Sequence, residues 1–177
     1  MEVLNRIKTC LFALVVLVVS APVAFSQAFH KLEVELDSLL PPPPYGMLKD
    51  PILIEKAQTA YDSFVFTQYY FRVDGSEMIE MILQDFRWNK SYYTQAENSS
   101  FDEGNEEGTI FRKSGTYKGL PAHRTRNQGE VTMGVFLGES LLIEMRHTVP
   151  DTTFTSIHKL LDQIDLDALK GKLIEFR

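Results

Sequence analysis

The stretch VTMGVFLGESLLIEMRHTV, residues 131–149, decides the fold because it predicts a long β-hairpin by itself. On either side of a Gly-Glu-Ser turn, every second position except His147 is apolar, which is the period of a strand with one buried face. Pro150 ends the second strand because it has no N–H to donate to a neighbour. This register places Ile143 in the core and Glu144 on an exposed face. The alternating positions are Val131, Met133, Val135, Leu137, Leu141, Ile143, Met145, His147 and Val149.

A helical pattern follows the hairpin directly. Apolar residues recur every three or four positions, which predicts an amphipathic helix. Asp151 or Thr152 is expected to cap its N-terminus, and Asp165 is expected to cap a last turn that buries Leu166 and Leu169. The apolar stripe of the helix consists of Phe154, Ile157, Leu160, Leu161 and Ile164.

The chain before the hairpin is also rich in strand-forming residues. TIFRKSG and TYKGLPAHRTR, residues 109–126, predict two strands in which Gly115 and Gly119 form a break or a bulge. KSYYTQ, residues 90–95, is a further candidate strand. Residues 97–108 are polar, acidic and glycine-bearing, which is typical of a loop.

Residues 50–88 mix helical and strand signals. Asp50 followed by Pro51 is typical of a helix start, and SEMIEMILQDFRW, residues 76–88, has the cap and the spacing of an amphipathic helix. Between them, SFVFTQYYFRV, residues 63–73, is rich in β-branched and aromatic residues. We interpret it as a strand, although its spacing also allows a helix.

Four consecutive prolines, residues 41–44, follow the alternating stretch LEVELD at residues 32–37. The alternation predicts a first strand, which the prolines end. The prolines form about 12 Å of stiff polyproline II, and we interpret them as a rigid corner between this strand and the following helix. The alternative is a PxxP ligand for a partner protein.

Residues 1–26 have the layout of a secretory signal peptide. Arg6 and Lys8 precede an apolar run at residues 10–19, and a small-x-small pattern ends at Ser26. A membrane-spanning helix needs about 20 apolar residues, so the run is short for an anchor. We expect periplasmic or extracellular export, cleavage after Ser26 or two residues later, and no stable membrane anchor after cleavage.

Cleavage would leave a single domain, residues 27–177, without cysteine, because Cys10 is the one cysteine of the chain. Disulfides, thiol catalysis and cysteine-based metal sites would then be excluded, and core packing would have to stabilise the domain. The formal net charge of −6 disfavours binding to nucleic acid and to anionic lipid.

Basic residues cluster in the two strands before the hairpin and are the candidate ligand-binding residues. They could form a positive face for an anionic ligand or partner. Alternatively, they could pair with the neighbouring acidic loop or solvate one face of the sheet. The candidates are Arg112, Lys113, Lys118, Arg124 and Arg126.

The sequence contains no catalytic, cofactor or metal motif. The four histidines lack zinc spacing, GESLL at residues 138–142 has leucine where a nucleophile elbow needs glycine, and the acidic loop lacks EF-hand spacing. We expect no catalytic residue, no metal ligand and no cofactor, and we expect His147 to be a hydrogen-bonded core or rim histidine. His123, His147 and a carboxylate clustered in one pocket would instead favour a small exported hydrolase with an unrecognised site.

The order of elements resembles that of the PsbP-like family of small exported α+β domains. The similarity rests on VELDSLLPPPPYG, EMIEMILQDF, YKGLPAHRT, the hairpin and FTSIHKLLDQI, which together cover most of residues 27–177. The resemblance implies a central antiparallel sheet flanked by helices and an accessory or binding role without catalysis.

Strands segregated from helices predict a single α+β domain whose antiparallel sheet is packed by helices on one face. The expected function is that of an exported, non-catalytic accessory or binding protein. Its partner would be an unknown protein or small ligand.

Overall fold

The computed structural model describes residues 30–57, 63–87, 91, 93–94, 98, 103–104, 110–148 and 154–175. The chain divides into two units, Met1–Leu36 and Asp37–Arg177. In the first unit, the described residues are helical, with Leu32 and Leu36 buried and Val34 57% exposed. The second unit is a single α+β domain built on an antiparallel sheet.

The sheet has nine strands among the described residues, and every neighbouring pair is antiparallel. The strands are β1 (Leu48–Lys49), β2 (Leu53–Ala57), β3 (Ser63–Phe71), β4 (Met78–Asp85), β5 (Glu103–Gly104), β6 (Phe111–Tyr117), β7 (Leu120–Asn127), β8 (Glu130–Phe136) and β9 (Leu141–Thr148). The labelled helices are α1, at residues 30–39, α2 (Thr155–Leu161) and α3 (Leu166–Glu175). The strand order is β1-β3-β4-β9-β8-β7-β6-β5, and β2 also pairs with β3.

The two faces of the sheet are named here after two neighbouring residues of β9. Residues aligned with Ile143 across the strands form the Ile143 face, and residues aligned with Glu144 form the Glu144 face. In the centre of the sheet, the side chains of the Ile143 face are apolar and almost fully buried, which makes this face one wall of the core. They include Ile79, Met81, Leu83, Val131, Met133, Val135 and Met145.

The predicted β8–β9 hairpin is confirmed. Val131 pairs with His147 and Val135 pairs with Ile143, so the alternating residues share one face. Ile143 is fully buried as predicted. The expectation that Glu144 is exposed is wrong, because its side chain is only 15% exposed. The Glu144 face is covered as well at this point of the sheet.

The expected first strand is instead part of helix α1. Leu32, Leu36 and Leu40 are spaced four residues apart, and all three are buried. Their spacing fits the period of a helix as well as the alternating pattern of residues 32–37 fits that of a strand. The prolines of residues 41–44 therefore connect a helix to β1. The phenol of Tyr70 donates a hydrogen bond to the carbonyl of Pro41 at 3.0 Å.

Two further predicted helices are strands. The segment after Pro51 forms β2, and residues 78–85 of SEMIEMILQDFRW form β4. In β4 the buried apolar residues Ile79, Met81 and Leu83 follow the period of two. Pairing with β3 on one side and β9 on the other decides the conformation, because both neighbours supply full hydrogen-bond ladders.

Other local expectations have mixed outcomes. The strands β3, β6 and β7 are confirmed, whereas the described residues 91, 93 and 94 of the expected strand KSYYTQ are helical. The N-cap position of α2 is Phe154, and the expected caps, residues 151 and 152, lie outside the described residues. Asp165 does cap the last helix, since its carboxylate accepts a hydrogen bond from the N–H of Ala168 at 2.9 Å.

Residues 1–26, where a signal peptide is expected, and most of the acidic loop lie outside the described residues. Within the described part of the chain, no helix is both long enough and apolar enough to cross a membrane.

Candidate functional site

The five candidate basic residues are divided between the two faces of the sheet. Lys113 pairs with Arg124, and both lie on the Ile143 face together with Arg126. Arg112 lies on the opposite face, next to Lys113 in β6. Lys118 occupies the turn between β6 and β7 and has a positive φ of 50°. The structure therefore brings three of the five together on one face.

Aromatic rings lie beneath the two arginines of this group. The guanidinium carbon of Arg126 is 4.9 Å from the ring centroid of Phe111, and that of Arg124 is 5.8 Å from the ring of Phe154. The two rings are themselves 6.0 Å apart. Stacking on a ring face restrains a guanidinium group.

A cavity of about 270 Å³ opens beside Arg124, and we call it the Arg124 cavity. Its floor exists because Gly115 and Ala122, a cross-strand pair, have almost no side chain to fill the space. A Cβ atom added at Gly115 would meet no atom within 4 Å. The cavity is lined by Gly115, Thr116, Ala122, Arg124, Met133 and His158.

A described acidic residue near the cavity wall, Asp162, is engaged by Tyr117 and Lys118. Asp162, which follows α2, accepts a hydrogen bond from the phenol of Tyr117 at 2.5 Å and lies 3.5 Å from the Lys118 ammonium. That hydrogen bond, assisted by the Lys118 charge, lowers the pKa of Asp162, while burial and the same hydrogen bond raise the pKa of Tyr117. Lys118 is therefore directed to Asp162, and it does not line the cavity.

The Glu144 face carries a network that the sequence did not reveal. Arg146 contacts Glu144 at 2.8 Å and Glu80 at 3.3 Å, and Glu80 accepts a hydrogen bond from Tyr69 at 3.0 Å. His123 lies at the other side of Glu144, with 3.7 Å between Nε2 and the carboxylate. That separation is longer than that of a direct hydrogen bond.

A glycine makes the contact between His123 and Glu144 possible. The two residues are on β7 and β9, and Gly134 of β8 lies between them in the same cross-strand row. A Cβ atom on Gly134 would come within 2.1 Å of the His123 ring. A glycine inside a strand often marks a close approach of this kind. Gly134 was therefore the feature of the sequence that could have indicated the contact between His123 and Glu144.

The environment of Glu144 favours its charged form. Burial alone would raise the pKa of Glu144, but the neighbouring His123 ring and the Arg146 guanidinium outweigh that effect and hold the pKa below its usual value. Ser114 lies in the same row beside His123, so the order Ser, His, Glu occurs across the strands. The His123 side chain is only 2% exposed, however, which leaves it little access to a substrate.

His147 belongs to a separate group on the Ile143 face. Its Nε2 lies 2.9 Å from Glu77, whose other oxygen accepts a hydrogen bond from Arg72 at 2.7 Å. The prediction of a hydrogen-bonded core or rim histidine is confirmed. His123 and His147 lie on opposite faces, so they do not form one pocket with a shared carboxylate.

Among the residues that the structure describes, no group of three or more His, Cys, Asp or Glu side chains is placed to hold a metal ion. Comparison of the chain with protein-family models, curated proteins and solved structures finds no match. The similarity to PsbP-like domains therefore stays an expectation.

Proposed function

We propose that this protein is an exported, non-catalytic binding protein whose ligand is a small anion held in the Arg124 cavity. The observation that supports the proposal is the position of Arg124, whose guanidinium lies over the Phe154 ring and also lines the cavity. A guanidinium group presents several N–H donors in one plane and matches a carboxylate or a phosphate.

The size and the lining of the cavity define the class of ligand. At about 270 Å³ it is slightly smaller than sites for drug-sized molecules, which begin at roughly 300 Å³. His158 adds a polar ring at the wall, while Ala122 and Met133 give an apolar floor. A short carboxylate or a small phosphate ester fits this combination better than a polymer does.

A binding role is better supported than the hydrolase alternative. The alternative required His123, His147 and a carboxylate in one pocket, and the two histidines lie on opposite faces of the sheet. Each of them contacts a carboxylate that an arginine also holds, which is the arrangement of a stabilising network.

The proposal includes export after removal of residues 1–26 and packing of helix α2 on the Ile143 face of the sheet, whereas the helical residue Tyr93 contacts Phe136 on the other face at 5.7 Å. Contacts of Phe154 with Phe111, and of His158 with Tyr117 at 5.8 Å, support the second part, because both strand residues belong to the Ile143 face. Intact mass of the secreted protein tests the first part. Retention of residues 1–26 in the mature species would contradict it.

Calorimetric titration of the purified protein with phosphate and with citrate tests the ligand class. We expect saturable binding of at least one of the two anions, and we expect Arg124→Gln to raise the dissociation constant at least tenfold, since a charged hydrogen bond contributes about 1.5–3 kcal/mol. Arg112→Gln is the matched control, because it removes the same charge from the opposite face of β6.

Equal weakening by the two substitutions would indicate nonspecific attraction to a basic region and would contradict the cavity as the site. Gly115→Leu provides a second variant, since its side chain would enter the open space above residue 115 without removing a charge. We expect it to abolish binding, and unchanged affinity would place the anion elsewhere.

A further inference from the structure

A second and larger concave surface lies at the other end of the sheet, at the tip of the β3–β4 hairpin. It encloses about 440 Å³, and we call it the Asp50 groove. Its lining residues are Asp50, Tyr69, Phe71, Arg72, Val73, Gly75, Ser76, Glu77, Met78 and Thr148. None of them belongs to the Arg124 cavity or to the basic candidates, so the groove requires a separate explanation.

The walls of the groove are apolar and aromatic because of the strand register. Phe71, Met78 and Thr148 are aligned across β3, β4 and β9, and Tyr69 is two residues from Phe71 on the same face. Val73 is 82% exposed and Met78 is 40% exposed, which are high values for apolar side chains of a folded domain. Exposed apolar residues grouped around a concavity commonly mark a ligand site.

The position of Asp50 adds a negative charge to these walls. The N–H of Asp50 donates to the carbonyl of Tyr69 at 3.1 Å, which continues the pairing of β1 and places Asp50 beside Tyr69. Within the described residues, the Asp50 carboxylate has no hydrogen-bond or ion-pair partner, although it lines the groove. Its charge is therefore available to a ligand.

The basic residue of the groove is already compensated. Arg72 donates to Glu77 at 2.7 Å and to the carbonyl of Gly46 at 3.4 Å. Glu77 is also close to His147, so both of its oxygens are engaged. Asp50 is then the charge in the groove that no described side chain neutralises, and a positively charged ligand would be attracted.

The phenol of Tyr69 is held by a second carboxylate, that of Glu80. Its hydrogen bond to Glu80 raises the pKa of Tyr69 first of all, burial adds to this, and the charges of Glu80 and Glu55 raise it further against the opposing effect of Arg146. Two aromatic rings next to a carboxylate are the elements with which proteins recognise organic cations, because the face of a ring is electronegative.

We propose that the Asp50 groove binds a small organic ammonium ion, with Asp50 as the counter-ion and Tyr69 and Phe71 as the aromatic walls. The apolar side chains of Met78 and Val73 contact the carbon substituents of the ligand. Net charge supports this class, since the chain carries a formal charge of −6 and attracts cations over distance. The proposal is independent of the anion site, which is on the opposite face.

Choline chloride and its neutral carbon analogue, 3,3-dimethyl-1-butanol, form the decisive pair of probes. The two molecules have the same shape, and they differ in the positive charge. Titration of the isotope-labelled protein, followed by NMR, is expected to show saturable shifts of the Gly75, Ser76 and Thr148 amides with choline. Binding of the neutral analogue is expected to be at least tenfold weaker.

Variants assign the effect to the groove. Asp50→Asn and Phe71→Leu are each expected to raise the dissociation constant for choline at least tenfold, whereas Asp167→Asn, the same substitution as Asp50→Asn at an exposed site on α3, is expected to leave it unchanged. Thermal unfolding of each variant checks that the fold is retained. Absence of saturable shifts, equal affinity for the neutral analogue, or unchanged binding by Asp50→Asn would overturn the proposal.

Discussion

His123 and His147 are both almost completely buried, yet they lie on opposite faces of the sheet and reach their carboxylates in different ways. His147 contacts Glu77 at 2.9 Å, and Glu77 directly precedes β4, the strand next to β9. His123 is 3.7 Å from Glu144, although β8 separates their two strands. Each glutamate is also held by an arginine.

The difference shows what a contact across an intervening strand requires. Neighbouring strands are about 4.8 Å apart, so residues on β7 and β9 meet only if the residue between them leaves room. Gly134 leaves that room, whereas His147 needs no such gap because its partner is on the adjacent strand. On the Glu144 face, the contact between His123 and Glu144 therefore depends on a glycine. The Ile143 face instead depends on the packing of apolar side chains.

The largest expected effect compares the two faces at neighbouring residues. Ile143→Ala should lower the free energy of unfolding by about 2–5 kcal/mol, the range for buried large-to-small changes. Glu144→Ala should cost about 1–3 kcal/mol, because it leaves His123 and Arg146 without their shared carboxylate. Urea denaturation measures both. A cost under about 0.5 kcal/mol for Glu144→Ala would mean that the Glu144 face is solvated at this point.

Gly134→Ala should lower the free energy of unfolding by about 1–3 kcal/mol, the usual range for overpacking. The new Cβ would lie within 2.1 Å of the His123 ring, which would have to leave its position beside Glu144. Gly115→Ala is the control, because a Cβ at that position meets no atom within 4 Å. Combining Gly134→Ala with His123→Ala should recover part of the loss, and strictly additive costs would refute the steric explanation.

A smaller effect depends on pH. A carboxylate whose pKa is lowered by folding contributes stability above its unfolded pKa, about 4.3 for glutamate, and that contribution is lost as the pH falls through the folded value. Glu144→Gln should therefore be destabilising by about 1 kcal/mol at pH 7, and the difference from the unmutated protein should shrink as the pH falls below the unfolded value and through the folded value. A difference that does not shrink on acidification would show that the charge of Glu144 is not the cause.

The sequence predicted the elements that are determined locally. The hairpin, β6, β7 and the cap at Asp165 each depend on neighbours within a few residues, and each is present. Residues 32–37 and 78–85 were assigned incorrectly because their apolar spacing fits both periods. In β4 the choice is made by ladders to β3 and β9, and β9 begins more than fifty residues later.

The candidate site was predictable only in part, for a similar reason. Alternation along β6 already places Arg112 and Lys113 on opposite faces. The sequence alone could therefore have predicted that these two residues do not belong to one positive face. Phe154 and His158, which complete the surroundings of Arg124, come from the region of α2, some thirty residues away. Nothing in the periodicity of β7 indicates that contact.

The smallest expected effect concerns the contact between Tyr117 and Asp162, which joins the Ile143 face to the end of α2. Removal of the phenol by Tyr117→Phe should raise the pKa of Asp162 toward its ordinary value, because the hydrogen bond is the main cause of the lowering. NMR titration of the aspartate carboxyl carbons measures this change. Tyr70→Phe is the control, since that phenol donates to the carbonyl of Pro41. An unchanged titration of Asp162 in Tyr117→Phe would assign the lowering to Lys118, and Lys118→Gln would then have to produce the shift.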